Sequence, residues 1–113
     1  MCTKSQAIGI LGEVYFACSS IFGENIKDAY LYGSYARGDY SAESDVDILV
    51  TASVDRVGLS KFRSALASVS SYLSLKHNVT VSVTVKPYDD FMLYSDTLPF
   101  YQNVINEGIR YGA

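Results

Sequence analysis

The chain has 113 residues, 49% of them hydrophobic and 19% charged, which suits one folded domain with its own core and excludes a disordered protein. Nine basic and twelve acidic residues give a formal net charge of -3. This charge argues against a general nucleic-acid binder, because no excess of positive charge can neutralise many phosphates. We expect no apolar run of membrane-spanning length, and the N-terminus lacks the long apolar core of a secretory signal.

The first predicted elements are a helix and two strands. Apolar residues recur at helical spacing over 5–22, and Gly23 ends this helix. The apolar run 29–32 predicts a short buried strand that stops at Gly33, and 47–51 predicts a second strand rich in β-branched residues. The connection between the strands is too short for a helical crossover, so we expect them to be antiparallel.

The next predicted elements are a long helix and a third strand. Apolar residues mark one face of a single amphipathic helix over 55–75. This helix would permit a parallel pairing of the strands on either side of it. The strict alternation over 79–85 predicts a strand whose four valines point into the core, with Thr80, Ser82 and Thr84 on the other face.

The tail of the chain predicts two short helices. Pro87 ends the third strand, and one helix is expected near Phe91 and another after Pro99. The whole order predicts an α/β (α+β) fold, a small mixed β-sheet with helices packed on one face. We expect a single domain over 1–113.

Cysteine and histidine usage limits the chemistry. Cys2 and Cys18 do not make a disulfide framework, and Cys18 falls in an apolar helical pattern as a small core residue. His77 is the only histidine, so no Cys/His group can build a zinc site, and nothing near it favours a Ser-His-Asp triad. The expected compartment is cytoplasmic.

A Gly-Ser pair follows the first predicted strand. Gly33 lets the backbone turn sharply and approach a ligand, and free N–H groups at a helix start attract anions. The Ser34 hydroxyl can donate to a phosphate oxygen, and Arg37 can add charge-assisted contacts. The alternative is an ordinary turn in which the serine only caps a helix.

Two aspartates open the second strand. Residues two apart on a strand share a face and lie about 7 Å apart at Cα. Asp45 and Asp47 can therefore reach one hard cation or bridge two, as phosphoryl transfer requires. The alternative is an Asx turn with both side chains in water.

Together these residues resemble a known family. Gly33-Ser-Tyr-Ala-Arg-Gly38 and Ser44-Asp-Val-Asp-Ile-Leu-Val50 closely resemble the signature of the DNA polymerase β-like nucleotidyltransferase superfamily. In particular, they resemble its small single-domain members, the minimal nucleotidyltransferases. The resemblance implies a polymerase β palm-like fold and transfer of a nucleoside monophosphate from a nucleoside triphosphate, with ATP the expected donor.

The resemblance also assigns roles by position. Gly33 and Ser34 would bind the triphosphate, with Arg37 commonly present beside them in a less defined role. Asp45 and Asp47 would be catalytic as ligands of a two-metal Mg²⁺ site.

The same resemblance implies a partner. Some relatives act as antitoxins paired with a HEPN-type toxin, and others modify a protein or a small molecule such as an antibiotic. A domain of this size lacks a built-in acceptor-binding domain, so we expect a second protein chain to supply it. A homo-oligomer remains open, and no membrane or strong nucleic-acid binding is expected.

One feature of the family pattern is missing. The superfamily normally carries a third carboxylate on the next core strand, and here Ser82 occupies the corresponding position. A hydroxyl cannot accept a proton at neutral pH without activation. Asp89 and Asp90 are possible substitutes, as are Glu43 and Asp39 with less support.

Three outcomes follow from the missing carboxylate. The reaction could need no base, because a metal can lower the pKa of a hydroxyl. A carboxylate could come from elsewhere, such as a partner. Catalysis could instead be lost, which leaves a nucleotide-binding or partner-binding module, for example an antitoxin that acts by occlusion.

Ten tyrosines are many for so small a domain. Tyr30, Tyr32 and Tyr35 surround the Gly-Ser turn, and we expect most tyrosines to be core or half-buried residues whose hydroxyls reach water. Stacking on a nucleobase and a partner surface are the alternatives.

Overall fold

A four-stranded mixed sheet is the centre of the protein, described for residues 2–112 by a computed structural model. Its strands lie in the order β3-β2-β1-β4. In chain order they are β1 (Ile26–Tyr32), β2 (Val46–Ala52), β3 (Val81–Pro87) and β4 (Ile109–Arg110). As predicted, β2 is antiparallel to β1 and parallel to β3. The sequence pattern did not predict β4, since two residues are too few to show a period.

Six α-helices and a 3₁₀ turn over Gly23–Asn25 accompany the sheet within the described part of the chain. The α-helices are α1 (Lys4–Phe22), α2 (Ser34–Arg37), α3 (Arg56–Ser60), α4 (Arg63–His77), α5 (Tyr88–Tyr94) and α6 (Pro99–Glu107). The predicted first helix and both helices of the tail are therefore confirmed.

Helix α1 begins at a capping box and ends at a glycine. The Thr3 hydroxyl accepts from the Gln6 N–H at 3.1 Å, and the Gln6 side chain accepts from the Thr3 N–H at 2.8 Å. Gly23 ends the helix with φ +58°. The buried face of α1 includes Cys18, and burial raises the pKa of its thiol to about 11, so Cys18 is the core residue that was expected.

The two long helices α1 and α4 cover one face of the sheet, as predicted. Alternate strand residues there, such as Leu31, Ile48 and Val50, are fully buried in the main core. The other face carries a second cluster, which the expectation of a single covered face omitted. Its buried residues are Leu49, Phe91, Tyr101 and Val104.

Helices on the second face follow from the sequence of β2. Leu49 lies between Ile48 and Val50, and all three are fully buried. A strand with apolar side chains on both faces must be covered on both. Helices α5 and α6 supply that cover, through Phe91 and Val104.

The predicted single helix over 55–75 is wrong, because α3 and α4 are separate. The N–H of Phe62 donates to the Leu59 carbonyl at 3.0 Å, and that of Lys61 to Gly58 at 3.2 Å. These three-residue bonds tighten the turn and end the α-helical ladder. The turn directs the Phe62 ring onto Phe22, with centroids 5.0 Å apart.

Strand β3 starts at Val81 rather than at 79, and Pro87 ends it as expected. Val81 is buried, whereas Val79, Val83 and Val85 are half-buried and pack against the same core. Partial burial follows because β3 lies at the edge of the sheet.

By length and composition the segment Lys4–Asn25 could cross a membrane, so the expectation that no segment approaches that length is wrong. The core helix of a soluble protein meets the same criterion. In this fold α1 buries Ile10, Val14 and Phe22 in the core beneath the sheet.

Candidate active site

The turn after β1 presents backbone N–H groups. Gly33 has φ +77° and ψ -154°, a conformation open essentially to glycine alone. The N–H groups of Ala36 and Arg37 both donate to the Gly33 carbonyl at 3.1 Å. Those of Ser34 and Tyr35, the first in α2, have no partner within the helix. The turn therefore offers two N–H donors and the Ser34 hydroxyl to an anion.

Ser34 does not cap α2, which was the alternative interpretation of the Gly-Ser pair. The N-cap residue is Gly33, and no side chain makes a capping hydrogen bond there. Ser34 is instead the first residue of the helix and is half-buried.

The two aspartates lie where β2 begins. Asp45 directly precedes the strand and is exposed, and Asp47 is its second residue and half-buried. Asp47 pairs with Tyr32 of β1 and with Ser82 of β3. Because paired residues point to the same face of a sheet, these three side chains form a row, which we call the Asp47 row.

Gly33 brings the two halves of the motif together. A Cβ atom at position 33 would lie 2.7 Å from Oδ2 of Asp47, closer than nonbonded atoms approach. The missing side chain is what lets the turn lie against the carboxylate. The glycine turn and the aspartate pair are therefore side by side, as the motif predicted.

The Asp47 carboxylate is held at an electrostatic cost. Burial raises its pKa above the ordinary value, the charge of Asp45 raises it further, and Arg37 opposes both effects. Burial, followed by the charge of Asp47, likewise raises the pKa of Tyr32. The local hydrogen bonds run between Ser41 and Ser44, and within residues 2–112 neither aspartate side chain accepts one. An Asx turn is therefore not what this pair forms.

These features fit a hard divalent cation. Carboxylate oxygens are the ligands that Mg²⁺ prefers, and a cation would offset the repulsion between Asp45 and Asp47. No group of three or more Asp, Glu, His or Cys residues forms a metal site within 2–112. Mg²⁺ is commonly bound through one or two carboxylates together with substrate phosphates, so Gly33 and Ser34 would complete the site through a bound triphosphate.

No acidic residue of the described chain takes the third position. Ser82 lies directly beside Asp47 in the parallel register. Asp89 and Asp90 follow the opposite end of β3, about 16 Å from Ser82 by the rise of a strand. Asp90 is paired with Arg56, Oδ2 to Nε, at 3.1 Å. These two residues are therefore not the missing acid.

The acids of the loop before β2 do not fill the position either. Asp39 pairs with Arg37 at 3.2 Å, and Glu43 is exposed in the turn that precedes Ser44. Among residues 2–112, Ser82 is thus the one candidate for the third position that the strand register places beside Asp47.

Comparison with known proteins identifies the family. The nucleotidyltransferase domain matches residues 15–109, which is most of the chain. The chain belongs to the nucleotidyltransferase family. Two proteins of Methanocaldococcus jannaschii, each named "putative protein adenylyltransferase", are similar to it. One is 34% identical over 92 residues, covering 81% of this chain and 84% of the relative. The other is 35% identical over 107 residues, covering 93% of this chain and 98% of the relative.

A solved structure supports the fold. A toxin-antitoxin crystal structure with AMP-PNP is similar to this nucleotidyltransferase with a TM-score of 0.54 and 20% sequence identity. The match covers 87% of this chain and 69% of the other. At this identity the likeness is one of fold alone.

A small cavity lies beside the glycine turn of the nucleotidyltransferase. Its volume is about 230 Å³, and Gly33 and Arg37 line it from one side. Helix α6 supplies Phe100, Asn103 and Glu107. These residues were not among those predicted from the sequence, although their spacing of three and four places them on one face of α6. No pattern in the sequence indicates that this face meets Gly33.

Arg37 is close to the site but is already paired. Its guanidinium lies 3.2 Å from Asp39 and 3.7 Å from Glu107, and its side chain is nearly half exposed. A phosphate that approached Arg37 would therefore compete with two carboxylates.

The tyrosines near the turn are core or half-buried residues, as expected. Tyr35 is buried and stacks on Tyr40, with centroids 4.4 Å apart. Tyr30 and Tyr32 are half-buried and pack against Phe91 and Phe100 on the second face of the sheet. Stacking on a nucleobase stays a prediction.

Gly33→Ala and Gly38→Ala compare two strained glycine positions, of which only the first lies against Asp47. Both glycines have positive φ, +77° and +91°, and alanine would be strained at either position by roughly 1–3 kcal/mol, more at 33, where ψ is -154°. At position 38 nothing lies within 4 Å of the new Cβ, whereas at 33 it meets Asp47. We expect Gly33→Ala to lower the free energy of urea unfolding further and to abolish Mg²⁺-ATP binding in calorimetry. Equal losses in the two variants, or retained binding at position 33, would contradict this account.

Asp47→Asn tests the electrostatic cost of the site. Since the folded state raises the pKa of Asp47, ionisation of this group opposes folding. The penalty is complete above the folded pKa and disappears as pH falls below the unfolded value of about 4. We expect metal-free Asp47→Asn to melt at a higher temperature than the parent protein at pH 7, with no difference below pH 4.

Magnesium and a charge-matched variant are the controls for Asp47→Asn. Mg²⁺ should raise the melting temperature of the parent protein and leave that of Asp47→Asn unchanged. Glu43→Gln removes the same charge from an exposed residue and should show neither effect. A gain in stability that is independent of pH, or that Glu43→Gln shares, would count against the argument.

Proposed function

We propose that this nucleotidyltransferase moves AMP from ATP to a hydroxyl group of a protein, with Mg²⁺ as cofactor. The observation that carries the proposal is the contact between the glycine turn and the aspartate pair, where a Cβ at Gly33 would meet Asp47. Phosphate donors and metal ligands thereby face the same small volume. The names of the two M. jannaschii relatives support adenylyl transfer to a protein, and the AMP-PNP in the similar structure supports an ATP-like donor.

The reaction assigns a role to each group. The acceptor oxygen forms a bond to the α-phosphorus as the bond from that phosphorus to the α,β-bridging oxygen breaks, and pyrophosphate leaves. The N–H groups of Ser34 and Tyr35 and the Ser34 hydroxyl would bind the β- and γ-phosphates. Arg37 would add charge once released from its acidic partners. Asp45 and Asp47 would hold Mg²⁺, which when bound supplies charge neutralisation and polarises the phosphate.

The acceptor proton has no carboxylate to receive it within 2–112. Ser82 completes the Asp47 row, but its hydroxyl is too weak a base at neutral pH. The proton would leave to water or to a group that the acceptor brings with it. Activity would then depend on a second chain more strongly than in a relative with three acids.

The partner we propose is a separate protein chain, of the HEPN type in a toxin-antitoxin pair. The toxin-antitoxin structure that shares the fold supports this setting. A small-molecule acceptor is the less favoured choice, since the relatives are named for a protein substrate.

A second candidate function is a catalytically inactive module that binds a nucleotide or occludes a partner. Ser82 in the position of the third acid favours it. An inactive module that binds a nucleotide differs from the proposed enzyme in turnover and not in nucleotide binding, so binding measurements alone cannot separate these two.

Label transfer tests the proposed reaction. The protein is co-expressed with its genomic neighbour, purified, and incubated with Mg²⁺ and ATP labelled at the α- or γ-phosphate. We expect the α-label alone to become attached to protein. Asp45→Asn or Asp47→Asn should reduce attachment by about a hundredfold or more, as loss of a group that stabilises the transition state does. Glu43→Gln is the matched control and should stay within about twofold. Attachment of the γ-label, or no attachment with unaltered nucleotide binding, would reject adenylyl transfer.

Ser82→Asp tests whether position 82 is the vacant third position. The new carboxylate would lie beside Asp47 and should tighten Mg²⁺-dependent ATP binding by about tenfold in calorimetry, as an added ligand to a hard cation does. It should also lower the melting temperature without metal, because a third like charge joins the pair. Ser82→Asn has the shape of Ser82→Asp without the charge, and should change neither ATP binding nor the melting temperature. Identical behaviour of the two variants would place the metal away from Ser82.

A further inference from the structure

A second, larger concavity lies along the outer edge of strand β3. Its volume is about 740 Å³, against about 230 Å³ for the cavity beside Gly33. Val83 and Val85 form an aliphatic floor. Helices α3 and α4 line one side, and residues of α5 and α6 line the other. We call this concavity the β3 groove.

The β3 groove is cationic although the chain is acidic. Its charged residues are Arg56, Arg63, Lys86 and Asp90, three cations and one acid, whereas the whole chain has nine basic and twelve acidic residues. Asp90 is already paired with Arg56 at 3.1 Å. Arg63 and Lys86 make no salt bridge with any residue of 2–112. Two positive charges therefore remain unmatched on this surface.

The strand beside these charges has one edge without a strand partner. In the described sheet β3 pairs with β2 alone, and Val83, Thr84 and Val85 are half-buried rather than covered. The backbone groups of an edge strand can pair with an extended segment of another chain.

We propose that the β3 groove binds an extended acidic segment of the protein acceptor, which adds to the sheet as a strand alongside β3. This inference rests on the proposed function for the nature of the acceptor. Charge complementarity selects the segment, through Arg63 and Lys86, and backbone pairing sets its register.

The strand that borders the groove also reaches the candidate active site. Lys86 and Ser82 are on the same strand and four residues apart, a distance of about 13 Å. A segment anchored by an acidic side chain at Lys86 would bring a residue four positions away to the Asp47 row. The acceptor hydroxyl therefore belongs to a Tyr, Ser or Thr four residues from an Asp or Glu.

A nucleic acid suits the groove less well than an acidic peptide. Single strands bind through exposed aromatic rings on which bases stack. The one aromatic residue that lines this groove among 2–112 is Tyr101, and only 8% of its surface is exposed. The aliphatic floor and the strand edge instead match an extended peptide with alternate apolar side chains.

Fluorescence anisotropy with a synthetic peptide tests the proposal. The probe alternates valine and threonine, ends in two glutamates, and has one tyrosine four positions from the first glutamate; a second probe reverses the order. The protein is Asp45→Asn/Asp47→Asn without nucleotide, so that docking is measured apart from transfer. We expect binding that Arg63→Ala/Lys86→Ala weakens by about tenfold, the effect of two partly screened ion pairs. Lys4→Ala/Lys27→Ala removes the same charge elsewhere and should change affinity less than twofold.

Two further probes define the contacts. Replacing the glutamates by lysines should abolish binding. N-methylation of every second peptide residue should abolish binding when the methylated N–H groups are those that face β3, and leave binding unchanged when they are the intervening ones, because alternate N–H groups face the neighbouring strand.

Several outcomes would overturn the proposal. The first two are equal affinity for the lysine and glutamate peptides and equal loss of affinity in the two double variants. The others are displacement of the peptide by a single-stranded oligonucleotide of equal charge, and a dimer of this chain that Arg63→Ala/Lys86→Ala dissociates. Failure of transfer would look different. If the peptide binds through the groove but no α-label becomes attached to protein, the docking proposal is supported and the proposed reaction is rejected. If the α-label becomes attached equally well with the groove variant Arg63→Ala/Lys86→Ala, the reaction is supported and the docking proposal is rejected.

Discussion

The rest of the structure depends on the burial of the central residues of strand β2 between two layers of helices. Ile48 and Val50 face α1 and α4, while Leu49 faces α5 and α6, and all three are inaccessible to water. Because a side chain on a strand cannot change faces without shifting the register by one residue, this burial sets the register of both neighbouring strands. Asp47, two residues before Leu49, is thereby directed to the face that carries Tyr32 and Ser82.

The chemistry of the site follows from that register. Asp47 is half-buried beside Asp45 with its pKa raised, and it lies against a turn in which only glycine leaves enough room. A carboxylate in such a place is favoured by a cation, and N–H groups at the adjoining helix start favour an anion. A metal-bound triphosphate satisfies both. In the proposed reaction, the missing third acid would leave the removal of the acceptor proton to water or to a second chain, and the cationic β3 groove would position that chain.

Much of the fold could be predicted from local pattern. Each of three patterns is compatible with one arrangement that buries the apolar residues. They are the helical period of α1, the alternation in β3 and the short connection from β1 to β2. The break between α3 and α4 could not be predicted in this way, since the helical spacing of apolar residues continues through it. The turn there places the Phe62 ring against Phe22, a contact between residues distant in the chain. The packing of α5 and α6 over Leu49 could not be predicted either, because an apolar run alone does not show whether a strand is covered on one face or on both.

The sequence by itself determined which residues are the candidates to hold phosphate and metal, because the glycine, serine and aspartates have the required chemistry at a spacing that predicts their place on strands and turns. Only the tertiary structure decided where they meet and what surrounds them. The approach of Gly33 to Asp47, the pairing of Asp47 with Ser82, the ion pair between Arg37 and Glu107 and the charge of the β3 groove all join residues distant in the chain. Local propensity carries no information on such contacts, which arise when separate elements pack to bury one strand.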